Sequence, residues 1–164
     1  TLTEPNAFGA KIISNVYEKS GRGIITFDGD VTSIGEAAFS DCSSLESITL
    51  PNGVTSIGEE AFYRCFSLTS ITIPDSVTSV GELAFYNCSS LGETEIPSSV
   101  TTIGTRAFDG CDSLSIVAEE GSVAYEYAVE NGIEISQGEE ELSFFQKIIN
   151  AILNFFAMIL SLFS

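Results

Sequence analysis

The chain has 164 residues, 44% of them hydrophobic, enough for one core with attachments. It carries 6 basic and 23 acidic residues, a formal net charge of −17, which excludes docking on nucleic-acid phosphates or anionic lipid through clustered Lys and Arg. There is no histidine, so Ser-His and Cys-His nucleophile pairs and the usual zinc and iron sites are excluded too.

Two apolar runs open the chain. Residues 11–17 read as a strand, and 23–30 (GIITFDGD) as a second, joined through Glu18-Lys19-Ser20-Gly21-Arg22. The expectation is a hairpin cap over residues 1–30. The second run shares its register with the chain beyond it. Ile25 falls at the Ile48 position and Phe27 at the Leu50 position, so it should supply a first strand without a full repeat. Asp28-Gly29-Asp30 reads as a turn, because the remaining ligands of a calcium loop are missing.

Four segments then repeat at a spacing of 23 residues: VTSIGEAAFSDCSSLESITLPNG from Val31, VTSIGEEAFYRCFSLTSITIPDS from Val54, VTSVGELAFYNCSSLGETEIPSS from Val77 and VTTIGTRAFDGCDSLSIVAEEGS from Val100. A unit this short cannot bury its own apolar residues, so residues 31–122 must stack as a solenoid. In the second unit the buried positions are Val54, Ile57, Ala61, Phe62, Cys65, Leu68, Ile71 and Ile73. Residues 67–74 alternate around Ile71 and Ile73 and predict a strand, ended by Pro74 as Pro51 and Pro97 end its neighbours. Gly35, Gly58, Gly81 and Gly104 mark a corner where a side chain would clash or a positive φ is required. The piece after it predicts a turn of 3₁₀ or α-helix with Phe62 inward. Cys42, Cys65, Cys88 and Cys111 are again 23 apart. Disulfides between rungs are one reading, but a buried column of free thiols is the expectation, and a row along the axis cannot wrap one metal ion.

The pattern weakens at Thr94, where an apolar residue is expected, and at Glu119, in the place of Leu50, Ile73 and Ile96. A closing unit over 123–136 comes next: a short helix with Ser122 as N-cap and Asn131-Gly132 as its stop, then a last strand at 133–135. After an acidic linker, 137–143, the composition changes to FFQKIINAILNFFAMILSLF over 144–163. Ser143, Lys147, Asn150, Asn154, Ser161 and Ser164 fall on one narrow stripe, so 144–164 predicts a separate hydrophobic, amphipathic helix. Its apolar face, running from Phe144 to Phe163, points to membrane contact or self-association, with folding back on the solenoid as the alternative.

The strings CxSLxxIxLPxxVxxIGxxAF, as in residues 42–62 and 65–85, together with the closing GSVAYEYAVENGIEI, resemble the BspA-like (treponemal-type) leucine-rich repeat family. The resemblance implies a curved solenoid of leucine-rich repeats, and with the hairpin and closing unit read from the residues the fold is a β-rich solenoid with an N-terminal hairpin cap and a C-terminal helix-strand cap. It also implies an extracellular or cell-surface setting and a role in adhesion or protein binding.

The strand residues that alternate with the buried ones should face solvent. One outward column reads Thr26, Thr49, Thr72, Glu95, Ala118, and the next Ile24, Ser47, Ser70, Glu93, Ile116. Thr26, Ser47, Thr49, Ser70, Thr72, Glu93 and Glu95 are the candidate binding residues. Tyr63, Phe66 and Tyr86 form a second exposed group on the turn side. No catalytic constellation, metal set or cofactor motif is present. The sequence therefore reads as a non-enzymatic module with a protein ligand and no nucleic-acid partner. The alternative is a structural spacer or surface-attachment unit, its activity lying in the C-terminal helix or in neighbouring domains.

Overall fold

The structure, a computed structural model, describes residues 8, 12–17, 23–27, 29–136, 148, 149 and 152. β1 (Ile12–Tyr17) and β2 (Gly23–Phe27) pair antiparallel, which gives the expected hairpin. Each repeat then supplies two short strands. These are β3 (Ser33–Ile34) and β4 (Ser47–Thr49), β5 (Ser56–Ile57) and β6 (Ser70–Thr72), β7 (Ser79–Val80) and β8 (Thr94–Glu95), and β9 (Thr102–Ile103) and β10 (Ser115–Val117). Helix α1 (Val123–Asn131) and strand β11 (Glu134–Ile135) close the stack.

The result is a β-solenoid of four turns with three walls. The first wall is one parallel sheet, β3-β5-β7-β9, in unbroken 23-residue register from Ser33 through Ser56 and Ser79 to Thr102. Its outer Thr column adds a second bond to each rung. Thr55 donates both its N–H (2.9 Å) and its Oγ1 (3.1 Å) to the Thr32 carbonyl, and Thr78 and Thr101 repeat this one rung further on.

The second wall corrects the expectation of a helical turn. Ala37, Asp41, Glu60, Arg64, Leu83, Asn87 and Arg106 all have positive φ, between 52° and 58°. A left-handed residue every fourth position breaks any right-handed helix. The strain is offset by a two-way use of donors. The N–H groups of Ala37, Phe39 and Asp41 reach carbonyls of the next rung at 2.7–2.9 Å, while those of Ala38, Ser40 and Cys42 bond three residues back within their own rung. No donor in this stretch is left unpaired, which is what a buried turn requires.

The glycine corner serves close approach, not positive φ. A Cβ on Gly58, Gly81 or Gly104 would stand 2.7, 2.5 or 2.3 Å from a backbone nitrogen of the preceding rung. That contact lets the rungs draw together and packs the interior columns. Phe39, Phe62, Phe85 and Phe108 stack with centroids 5.0–5.1 Å apart and planes within 5°. Burying such rings stabilises the fold by about 1.5–3 kcal/mol each, with about 0.5–1.5 kcal/mol more per aromatic pair.

The four cysteines are free, but only Cys65 and Cys88 are buried; Cys42 and Cys111, at the ends of the column, are partly exposed, which corrects the expectation of a fully buried row. The thiols of Cys65, Cys88 and Cys111 each donate at 3.1 Å to the carbonyl of the phenylalanine 26 residues earlier. The neighbouring thiol on the next rung, and burial, hold the Cys65 proton and push Cys88 up to about 12.

Both ends of the ring stack are turned edge-on. Phe8 meets Phe39 at 63° and Tyr127 of α1 meets Phe108 at 67°. On rungs one to three the phenylalanine N–H donates to an alanine carbonyl of the next rung, and on rung four the Phe108 N–H points to the Tyr127 hydroxyl at 3.5 Å. Helix α1 is capped as predicted: Ser122 accepts from the Tyr125 N–H, and Gly132 ends the helix at φ 66°.

The columns can be tested at the corner and at the thiols. Replacing Gly81 with Ala should lower the urea midpoint severely, since its Cβ collides with backbone, whereas Gly92→Ala, with 3.5 Å of room, should leave stability unchanged or raise it by about 0.4–1 kcal/mol. Equal effects would contradict the role given to the corner. For Cys42, Cys65 and Cys88 the ordinary value is 9.0 and the folded values are raised, so the unfolded chain loses these protons first. Stability should be fully present below pH 9 and fall as pH rises from there toward about 12. A Cys65→Ala, Cys88→Ala variant should show a shallower alkaline fall, and thiol titration without reductant should find four thiols only after denaturation.

Candidate functional site

The third wall carries six of the seven predicted binding residues; β2, expected to supply its first strand, pairs with β1 in a sheet of its own and takes Thr26 with it. Along β4 and β6 the strand alternation puts Ile48 and Ile71 inward and leaves Ser47, Thr49, Ser70 and Thr72 exposed. The two strands pair parallel, Ser47 beside Ser70 and Thr49 beside Thr72. On rung three Glu93 and Glu95 are exposed in the same places. Thr94, between them, takes the buried place of Ile71 at 1% exposure, and its hydroxyl is satisfied by the Gly92 carbonyl at 3.1 Å. A polar side chain is thus buried here without an orphaned group. Thr26 lies in β2, opposite Ser14 of β1.

The wall is not one sheet. β4-β6 form one ladder and β8-β10-β11 another. A single bond from the Gly92 N–H to the Thr69 carbonyl, 3.1 Å, crosses between them upstream of the strands. The break falls where the surface chemistry changes from hydroxyl to carboxylate. The site therefore has a neutral half and an acidic half, and the Ser136 hydroxyl donates to the Glu93 carboxylate across the acidic one.

Rung four corrects the sequence columns. Ile116 pairs with Thr94 and Val117 with Glu95, a step of 22 residues rather than 23. Ile116 is fully buried and belongs to the inward column, and Val117 rather than Ala118 follows Glu95. The residue equivalent to Thr69 is missing between Leu114 and Ser115. Ala118 then takes the place assigned to Glu119 and packs on the core, so Glu119 is exposed and interrupts nothing. The signal was present in the sequence: Ser115-Ile116 repeats Ser47-Ile48 and Ser70-Ile71.

The second group sits on the turn wall, where Tyr63 and Tyr86 are half-buried rather than exposed. Tyr63 and Tyr86 stack at 5.2 Å with planes 10° apart, and Arg106 covers Tyr86 at 4.9 Å from its centroid. Arg106 is anchored by Asp109 at 2.8 Å, and this contact raises its already high pKa. Phe66 is exposed, with Arg64 over its ring at 5.4 Å. A recess of about 600 Å³ lies between this wall and the end of α1, lined in part by Asn87, Asp112, Asn131 and Glu134. Among the described residues no group of three or more Cys, Asp or Glu could hold a metal ion, and no helix is long and apolar enough to cross a membrane. Of the predicted C-terminal helix, Ile148, Ile149 and Ile152 are helical and exposed. The rest of it lies outside the described residues.

Residues 10–131 match the model of the BspA type leucine rich repeat region, in six copies. The chain belongs to this family. The matched span takes in the hairpin and α1 as well as the four turns, so both ends of this BspA-type solenoid are counted with the repeats. Three solved structures are similar. A leucine-rich repeat protein from Bacteroides capillosus is 29% identical, with 64% of this chain and 72% of that one covered and a TM-score of 0.45. The T. pallidum leucine rich repeat protein is 26% identical, with 71% of each covered and a TM-score of 0.45. A leucine rich cell surface protein from Faecalibacterium prausnitzii is 25% identical, with a TM-score of 0.48. The match covers 81% of this chain and 44% of that longer protein. No curated protein matches the sequence.

Because Glu93 and Glu95 are exposed and support no buried group, Glu93→Ser with Glu95→Thr should shift stability by no more than about 0.5 kcal/mol, or raise it by relieving repulsion. Urea unfolding of the double variant decides this. A loss beyond about 1 kcal/mol would make the pair structural and remove it from the candidate site.

Proposed function

We propose that the chain is a non-enzymatic module that binds a protein ligand through its third wall, at the cell surface or outside the cell. The observation that carries this reading is the split wall itself. Ser47, Thr49, Ser70 and Thr72 present regularly spaced hydroxyls beside the carboxylates of Glu93 and Glu95. None of the six holds a buried core position, so their side chains are available for recognition. A rigid, parallel backbone fixes their spacing, which limits the entropy lost when a partner docks. Membership of the BspA-type family supports a protein-binding, surface-type role. The absence of histidine leaves the common acid–base pairings without their usual member.

The proposed division is an N-terminal cap over 1–30, repeats over 31–122, a C-terminal cap over 123–136, a linker over 137–143 and a hydrophobic segment over 144–164. A second reading, the spacer or attachment unit, is favoured by one observation: Ile148, Ile149 and Ile152 are 39–50% exposed.

The two readings separate in one experiment. A panel of purified secreted and cell-surface proteins is immobilised, and three proteins are passed over it: the full chain, the chain stopped at Gly138, and the full chain with Thr49→Arg and Thr72→Arg. The first reading expects a ligand that holds the shortened chain as well as the full one and loses about tenfold or more with the arginine variant. Binding that disappears with residues 139–164 and ignores the arginines would transfer the function to the C-terminal segment.

A further inference from the structure

The turn wall carries an unfinished stack. Its middle is the Tyr63–Tyr86 pair, and its C-terminal end is closed by the chain's own Arg106, which lies on Tyr86 and is held by Asp109. The N-terminal end is built differently. On rung one the column position of the tyrosines is Ser40, and the position equivalent to Arg106 is Ala37. Two small side chains stand where rung four has a guanidinium and its carboxylate anchor. Among the described residues no ring or guanidinium covers the second face of Tyr63.

The surroundings state the charge of the missing group. Arg64 and Arg106 are the only basic residues between positions 29 and 136, and both are engaged. Arg64 lies over Phe66 on its own rung and reaches Asp41 at 3.7 Å. Asp41, whose N–H bonds the Tyr63 carbonyl at 2.8 Å, is an exposed carboxylate beside the gap, met by Arg64 only at 3.7 Å. A tyrosine face beside a carboxylate attracts a planar cation, through the ring quadrupole and through salt bridging together. The same molecule shows the contact already made at the other end of the pair.

We propose that the face of Tyr63 above Ser40 receives an arginine side chain from a protein partner, completing the stack that Arg106 closes on the opposite side. This surface is separate from the third wall and does not depend on the function proposed for it. Arginine is specified over lysine because only the flat guanidinium can lie on the ring and fork to a carboxylate at once.

Two capped peptides of equal charge test this on the full chain, Gly-Ser-Arg-Ser-Gly and Gly-Ser-Lys-Ser-Gly, titrated at about physiological ionic strength, where long-range attraction is screened, and followed by NMR. The arginine peptide should shift the Ser40 and Tyr63 resonances and bind about two- to fivefold more tightly than the lysine peptide. Tyr63→Leu should erase that preference by removing the ring. Ala37→Arg with Ser40→Asp should erase it by building on rung one the closure that Arg106 and Asp109 make on rung four, with the melting midpoint retained. Equal affinity of the two peptides in the native chain would overturn the proposal. So would an arginine preference that survives either substitution, or shifts confined to Glu93 and Glu95.

Discussion

Backbone hydrogen bonds between rungs fix how far apart the turns of this solenoid stand, and the side chains have to live with that distance. The phenylalanine N–H reaches the next alanine carbonyl at 2.7 Å on rungs one to three. With that bond made, each ring lies flat on its neighbour at 5.0–5.1 Å. The same separation forbids a Cβ at the glycine corner. It also sets thiol over thiol, and lets a threonine hydroxyl reach the carbonyl that its own N–H already uses. Repetition in the sequence is thus a consequence of backbone spacing: each column accepts one shape because each gap has one height.

A stack held by its neighbours needs something foreign at each end. Here the foreign group is an aromatic ring turned through 63° or 67°, Phe8 before the first rung and Tyr127 after the last. An edge-on ring satisfies the exposed face of the terminal phenylalanine without inviting another ring to stack. Tyr127 adds a hydroxyl where the next rung's carbonyl would have been. Burial raises its pKa, and its oxygen accepts from the Phe108 N–H.

The interior columns were legible because they are made of side-chain identity: Phe62, Gly58, Cys65 and Ile71 recur and can be counted. The hairpin and both caps of α1 were legible for the same reason. The conformation of the turn wall was not, because Ala37, Glu60 and Leu83 share a left-handed backbone but no side-chain chemistry. Nothing in those residue types asks for positive φ; the bonds to the next rung impose it. At the candidate site, alternation alone gave the exposure of Ser47, Thr49, Ser70, Thr72, Glu93 and Glu95. The break between β6 and β8 depends on strand pairing, and its mark in the sequence is the departure at Glu93-Thr94-Glu95. The 22-residue step was written in Ser115-Ile116, but strict counting by 23 carried Ile116 to the wrong face.

The residue that rung four lacks shows where a repeat of this kind can change length. Its counterparts Glu46 and Thr69 are exposed and bond to each other between rungs, but neither fills a place in the buried core, and its loss leaves Ile116 inward and the β8-β10 pairing intact. A deletion at the glycine corner or along the turn wall would instead move every later column off its partner. Growth of such an array by duplication of its coding segment therefore has one forgiving joint per unit, just before the third-wall strand. Copies that differ there by a codon can still be added end to end, so a family of these arrays can vary its third wall while the interior continues to count in the same step.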